Sequence, residues 1–466
     1  MAVNNRLSEF VLLISFLLFF SLQPCAAQNA SHEHAEITFP VELLERPVPL
    51  REGIGTVYEA VTTSSKEAQA FYNQGLAYLH SYVWIEAARS FNQALRLDPK
   101  LALSYIGLSR AFSGLNAYPA ARASLERAQL LASGASEREQ RRISIRAKHL
   151  DAIADPGNVE KHFQYKKAID EAIAIDPKDV ELWLLRGIAE EANAAGRGQH
   201  GGARSIQFYE KALQLSPDNF AAHHYLTHSL ENTDRISEAL KHGEAYARLS
   251  PAIPHAHHMY GHDLRRVGRV SDAIAEFRRA DELERAYYKS ENIPAAYDWH
   301  HEHNLDLLST SYQHEGQMKA AEELMRQAFA IPSMQDALEF NKKQWPEFLI
   351  ARGRNEEALQ AAKTLSESRW DIVRAIGRIF ASHAHLAMNN LQAASAEAKE
   401  ALKELQSSGG RAAFVAAYME ALQGEFYLRT GQGEKGRAML KQIAGRIRSE
   451  PGPDAWTQAL FRLEAM

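Results

Sequence analysis

Twelve of the 20 histidines fall between positions 220 and 314, and their spacing says more than their number. His224 and His228 stand four residues apart, as do His258 and His262; the second pair follows the first at an interval of 34 residues, and His255 precedes it by three. Residues four apart share one face of a helix. Two such pairs on helices lying side by side would turn four imidazoles toward one patch. Imidazole suits zinc, copper, iron or nickel, and metal–nitrogen bonds of about 2.0–2.1 Å need convergent rings. The expected ligands of such a divalent transition metal, zinc or copper, are His224, His228, His255, His258, His262 and His303, with Glu231 and Asp306 as further carboxylates. The same side chains also read as polar lining that grips a peptide's backbone and carboxylates with no metal at all. His223 and His257 are expected in a helix seam and His300, His301 and His314 at the surface, while His383 and His385 carry no assignment.

Little else in the sequence carries chemistry. Gly196-Arg197-Gly198-Gln199-His200-Gly201 satisfies GxGxxG on paper, but it lies between two helical segments rather than between a strand and a helix, so a mobile loop is expected. There is no GxxxxGK[ST] loop, GxSxG elbow or HExxH helix, and His301-Glu302-His303 and His32-Glu33-His34 lack a histidine four residues on. Asn29-Ala30-Ser31 is a glycosylation sequon in form only.

The elements that must hold the histidines show a repeat. Phe71, Gly75, Tyr78, Ala87, Phe91, Ala94 and Pro99 fall at positions 4, 8, 11, 20, 24, 27 and 32 of a unit beginning at Ala68. Small residues at 8 and 20 let two helices approach, large ones at 4, 11 and 24 fill the seam, and the proline ends the second helix. Tyr105, Phe112, Ala121, Leu125 and Ala128 repeat the pattern, as do Leu226, Leu230, Ala239 and Pro251, then Gly261, Leu264, Gly268, Ala273, Phe277 and Ala280. This spacing resembles the tetratricopeptide-repeat (TPR) family over residues 68 to about 445. The resemblance implies an all-α TPR solenoid, a right-handed superhelix of about nine or ten helix pairs. Residues 67–332 form the array, with histidine-rich repeats at 220–314, and residues 333–466 form degenerate TPR-like helical repeats. In such repeats positions 2, 5 and 9 face a concave groove; the two HxxxH pairs occupy 5 and 9, and His303 and Asp306 take 2 and 5 of the following unit. The string from His224 to Glu231, and that from His255 to His262 with Arg266, Gly268, Arg269, His303 and Asn304, resemble a histidine-rich bacterial TPR subgroup. Asp306 departs from it, standing where a further histidine is usual, and so does Val83-Trp84-Ile85.

Composition bounds the rest. The 466 residues are 45% hydrophobic and 24% charged, more than one globular core usually holds. A formal net charge of -5 gives no basic footprint for nucleic acid. Arg6, the apolar run Phe10–Leu22 and the small residues up to Ala27 read as a secretory signal peptide over 1–27, which predicts an exported, periplasmic or secreted protein. An uncleaved anchor and a lipoprotein at Cys25 are the alternatives. Residues 28–66 read as an extended leader, and no later stretch reaches membrane length. Function is expected in one of three forms: a scaffold holding a peptide or protein in the concave groove, a metal-binding protein, or a metalloenzyme with Glu231 or Asp306 as base. No nucleophile–base pair favours the enzyme.

Overall fold

A computed structural model describes residues 40–334, 336–407 and 413–449. The signal segment, Cys25, the Asn29 sequon, His32-Glu33-His34 and the start of the leader lie outside the described residues. The chain is all-α: among the described residues there is no strand, and no helix is long and apolar enough to cross a membrane. It divides into two compact units between Ile293 and Pro294, upstream of the division at 332 drawn from the sequence.

The first unit carries α1 (Val41–Leu44), α2 (Lys66–His80), α3 (Trp84–Leu97), α4 (Ala102–Gly114), α5 (Tyr118–Leu131), α6 (Glu137–Ala154), α7 (Val159–Ile175), α8 (Val180–Ile188), α9 (Ala203–Leu215), α10 (Phe220–Glu231), α11 (Ile236–Leu249), α12 (Pro254–Arg266) and α13 (Val270–Glu291). From α2 onward these pack as six consecutive hairpins. The second unit carries α14 (His301–His314), α15 (Met318–Ala330), α16 (Asp336–Asn341), α17 (Gln344–Ala351), α18 (Asn355–Ser366), α19 (Asp371–Ala387), α20 (Leu391–Ser407), α21 (Ala413–Arg429) and α22 (Gly433–Ser449). There α14/α15, α17/α18, α19/α20 and α21/α22 form four more hairpins. The described residues thus hold the expected helix pairs.

The repeat spacing is a packing rule. Ala87, Phe91, Ala94, Ala239, Ala273, Phe277 and Ala280 are wholly buried in the hairpin seams. A Cβ on Gly75 would sit 2.7 Å from the Phe91 ring, and one on Gly261 2.7 Å from Phe277, so position 8 is small because position 24 is aromatic. In most hairpins the turn uses one residue with positive φ: Asn116, Asp234, Gly268, Gly316, Gly353, Asn389 and Gly431 serve, the residue types that tolerate the left-handed region. In the first hairpin the same position is Tyr82, at φ 59°.

The leader is tied down. Beyond α1 it runs without helix to Ser65, with Leu43, Leu44, Val48 and Ile54 buried. Arg89 donates to the carbonyls of Arg46 and Pro47 (3.2 and 2.8 Å), and Gln74 binds the Arg51 N–H and the Pro49 carbonyl (2.7 and 3.0 Å). The Ala252 N–H donates to Gly53 O at 2.8 Å, which ties the leader to the turn before α12. The first hairpin also meets the last one of this unit, through Arg89–Glu291 (2.9 Å) and Tyr287–Glu86 (2.9 Å). This part of the array closes on itself, and the faces expected to line an open groove here are covered by its own chain.

The loop 190–202, expected to be mobile, is packed against its neighbours. Its glycines answer to neighbours: Gly198, at φ +101°, faces the Tyr225 ring, Gly201 faces Ser229, and Gly196 lies against the Glu191 carboxylate. Asn232 donates to the carbonyls of Gln199 and Gly201 (2.8 and 3.0 Å), and Arg197 stacks over Trp84 at 4.7 Å.

Candidate metal centre

Two helices of the first unit bring the central histidines together. Asn219 caps α10, its Oδ1 accepting from the Ala222 N–H at 2.8 Å, and Pro254 opens α12 at a position where a missing N–H costs nothing. With α10 beside α12, three rings converge. His224 Nε2 lies 3.1 Å from His228 Nε2 and 3.0 Å from His255 Nε2, and one ligand atom from each of the three falls within 4.8 Å of the others. A tetrahedral ion with bonds of about 2.0–2.1 Å spaces its nitrogens by about 3.3 Å, close to the two spacings from His224.

The ring orientation is fixed from behind. His224 Nδ1–H donates to the backbone carbonyl of His80 at 2.7 Å, so its Nε2 carries a lone pair toward His228 and His255. A backbone acceptor on the far ring nitrogen is the usual support for a ligating histidine. Burial pushes His224 down to about 3, and burial together with His224 holds His228 well below its ordinary value, so both rings are neutral at pH 7, the ligating form. A single lone pair on His224 can accept from only one of its two neighbours, so hydrogen bonding alone does not account for the convergence of three nitrogens.

The triad is covered. His224, His228 and His255 are 0, 9 and 4% exposed, so these imidazoles do not line an open groove. The Tyr82 ring lies 4.5 Å from His224, 5.3 Å from His255 and 6.0 Å from His228, and Tyr246 stacks on His224 at 4.7 Å. Tyr82 is held by its hydroxyl, which donates to Arg197 O at 2.8 Å. A bulky residue in the left-handed region is unusual and costs about 1–2 kcal/mol. At the one turn where the repeat uses tyrosine instead of Gly, Asn or Asp, the ring covers the three histidines. Such strain persists where the surroundings over-determine it.

The remaining expected residues are distributed as follows. His258 and His262 share a face of α12, ring centres 4.8 Å apart. His262 Nδ1–H donates to Glu231 Oε1 at 3.0 Å, with Arg266 3.5 Å from the same oxygen, so Glu231 acts here as an anchor for His262. Burial raises the Glu231 carboxyl, but His262, His228 and Arg266 together more than offset this and hold it below the ordinary range. His303 and Asp306 lie one turn apart on α14 in the other unit. His223 and His257 pair across their hairpins, with His242 (2.8 Å) and Glu276 (2.7 Å), as a seam position predicts. His300 and His301, expected at the surface, are instead buried, 4 and 3% exposed, His300 against Trp299; His314 is exposed. His383 is buried against Glu425.

Sequence reasoning missed His80 and Tyr82. The His80 ring joins distant helices, Nε2–H donating to Glu181 (2.8 Å) and Nδ1 meeting the Tyr225 hydroxyl (2.9 Å). Tyr82 left a signal, an aromatic where the turn wants Gly or Asn.

No family model matches the sequence and no curated protein does. Among solved structures, it resembles yeast Tom70 (12% identity, TM-score 0.42, covering 86% of this chain and 88% of that one). It also resembles a tetratricopeptide repeat protein from Parabacteroides merdae (13%, TM-score 0.41, covering 61% and 99%) and the Cut9–Hcn1 hetero-tetramer of the APC/C (13%, TM-score 0.38, covering 85% and 76%). At these identities the likeness is one of fold.

Proposed function

We propose that this protein is a transition-metal-binding repeat protein, holding one zinc or copper ion at His224, His228 and His255 inside its first unit. The observation that carries the reading is the convergence of three buried Nε2 atoms, one of them oriented by a backbone carbonyl. Neutral imidazoles without thiolates suit zinc or copper(II). Three histidines leave the fourth position of a tetrahedral ion to water, but the aromatic cover and the commitment of Glu231 to His262 withdraw the base a catalytic ion would use and favour a structural or sequestering ion. Bound there, the ion would clamp α10 and α12 behind the turn of the first hairpin.

The burial of these rings by the chain itself argues against their gripping a peptide. A protein partner remains part of the proposal because stacked hairpins offer long surfaces for one, but it would sit elsewhere on the array. Export is likewise proposed from residues 1–27 alone; a mature protein beginning at Gln28 in the periplasm or medium would support it.

The test is elemental analysis of untagged protein beside a His228→Ala/His255→Ala variant. Near-stoichiometric zinc or copper in the wild type and none in the variant is expected. Metal in neither, even after incubation with both ions, would sink the metal reading.

A further inference from the structure

Beneath Tyr82 and Trp84, the helices α2, α3, α4, α6 and α8 of the first unit surround a cavity of about 90 Å³. Four guanidinium groups line it: Arg110, Arg142, Arg146 and Arg197. Two are matched. Arg110 meets Glu181 at 2.6 Å, and Arg142 meets Glu59 and Asp179 at 3.0 and 2.7 Å. The other two touch only neutral acceptors among the described residues. Arg146, 3% exposed, donates to Ser109 Oγ and O (2.9 and 2.7 Å), Ser113 Oγ (2.5 Å) and His149 Nδ1 (2.8 Å). Arg197 donates to Ser113 O and Asn116 Oδ1 at 3.1 and 2.6 Å. His149 cannot supply an opposite charge: its Nε2–H donates to Ala194 O at 2.7 Å, and its Nδ1 is the acceptor that Arg146 uses.

A buried charge such as that of Arg146 ordinarily has a partner, since water is no longer there to solvate it, and Arg197 beside it is half-buried. The carbonyls at the end of α4 offer the two cations a partial charge of about −0.5, short of the two whole charges that converge on Ser113. Glu191 accepts from the backbone N–H of Arg197 and acts on its guanidinium only through the field, and burial lifts its own carboxyl to about 7. The strain shows in Arg146, which burial and the neighbouring Arg110 push down to about 9. The aliphatic part of the wall is Leu76, Leu103, Ile106, Ile145 and Leu185, beside the rings of Tyr72, Tyr165 and Tyr225.

We infer that this cavity binds a small organic carboxylate, its anionic end between Arg146 and Arg197 at Ser113 and its short tail against the apolar wall. Beyond the bonds just named, Arg146 keeps one Nη1 hydrogen and Arg197 keeps its Nε and Nη1 hydrogens for an anion. An apolar cavity of about 150 Å³ accommodates benzene, so this one fits an acid of about two to four carbons. The site shares no ligand with the proposed metal centre and stands whether or not a metal binds.

The experiment is calorimetric titration of the full chain with acetate, propionate and butyrate, with phosphate and chloride as comparison anions, repeated on His228→Ala/His255→Ala. Saturable binding of one carboxylate per chain is expected, with a rise in melting temperature, in both proteins. Arg146→Met should weaken it at least tenfold, while its ligand-free stability equals or exceeds that of the wild type, because an unmatched charge has gone. Arg146→Lys keeps the charge without the planar guanidinium and should bind about tenfold more weakly, which serves if the methionine variant does not fold. Absence of saturable carboxylate binding to the wild type overturns the proposal. So does unchanged binding by Arg146→Met, or binding of phosphate or chloride that carboxylates do not displace.

Discussion

In α19–α21 of the second unit the buried faces carry Ile372, Ile376, Ile379, Phe380, Met419 and Leu422, while in α10–α12 of the first they carry His224, His228, His255, His258 and His262. The hairpin seams barely differ: Ala394, Ala398 and Ala401 in one, Ala239, Ala273 and Ala280 in the other, all fully buried. A helical hairpin of this kind therefore needs small seam residues and a filled interior, and the interior can be plain hydrocarbon. Neutral imidazoles bury less apolar surface than Ile or Phe and must find partners for two ring nitrogens. The fold does not ask for them, and that is one ground on which a metal is proposed there.

The widest separation between the two interiors should come from Phe380→Ala. Truncating a wholly buried Phe costs about 3–5 kcal/mol, and in urea unfolding that loss should be the same with and without zinc. Zinc at 100 times its dissociation constant should stabilise the wild type by about 2.7 kcal/mol. That increment should survive in Phe380→Ala and vanish in His255→Ala. A zinc increment that persists in His255→Ala breaks the comparison, for the histidines would then fill space as the isoleucines do.

Much of this difference could be read from the residues. Phe91 and Gly75, or Phe277 and Gly261, declare the hairpin because their contact is local and recurs every 34 residues. His224, His228 and His255 were legible for the same reason, being register positions of neighbouring helices. His80 and Tyr82 were not: they reach α10 across some 144 positions of sequence, and no periodicity links them to it. The leader could not be read as a cover either, since its hold on Arg89, Gln74 and Ala252 is made by backbone carbonyls and N–H groups that every residue owns. The glycines at 196, 198 and 201 suggested a loose loop, whereas each meets a close approach, of the Glu191 carboxylate, the Tyr225 ring and Ser229, that local spacing does not disclose.

A smaller effect tests whether Tyr82 belongs to the histidine interior or merely to a turn. Tyr82→Gly relieves the backbone but uncovers the triad; a net loss of about 2–3 kcal/mol is expected from the lost ring burial, together with faster release of zinc to a chelator. Asn116→Gly and Asp234→Gly, at the equivalent turn of other hairpins, should be neutral within about 0.5 kcal/mol. If Tyr82→Gly matches them in stability and in zinc release, the ring does not guard the site.

The smallest expected change concerns Glu191, whose acceptance of the His200 N–H at 3.0 Å helps to hold the loop beside α10. Its carboxyl is raised by burial from 4.5 to about 7 in the folded chain. The folded state thus holds this proton more tightly than the unfolded one, and by linkage the group's contribution to stability falls as pH rises from about 4.5 to about 7, then stays level. Glu191→Gln keeps an oxygen to accept from His200 and removes the ionisation. It should gain about 1–2 kcal/mol over the wild type at pH 8, gain nothing at pH 4.5, and lose the slope between. The apolar interior of α19–α21 supplies the contrast, because Ile376→Val there should shift stability by a similar amount at every pH. A wild-type pH profile without that decline would mean the loop admits water to Glu191, and the polar interior would then be wetter than the apolar one rather than merely different in composition.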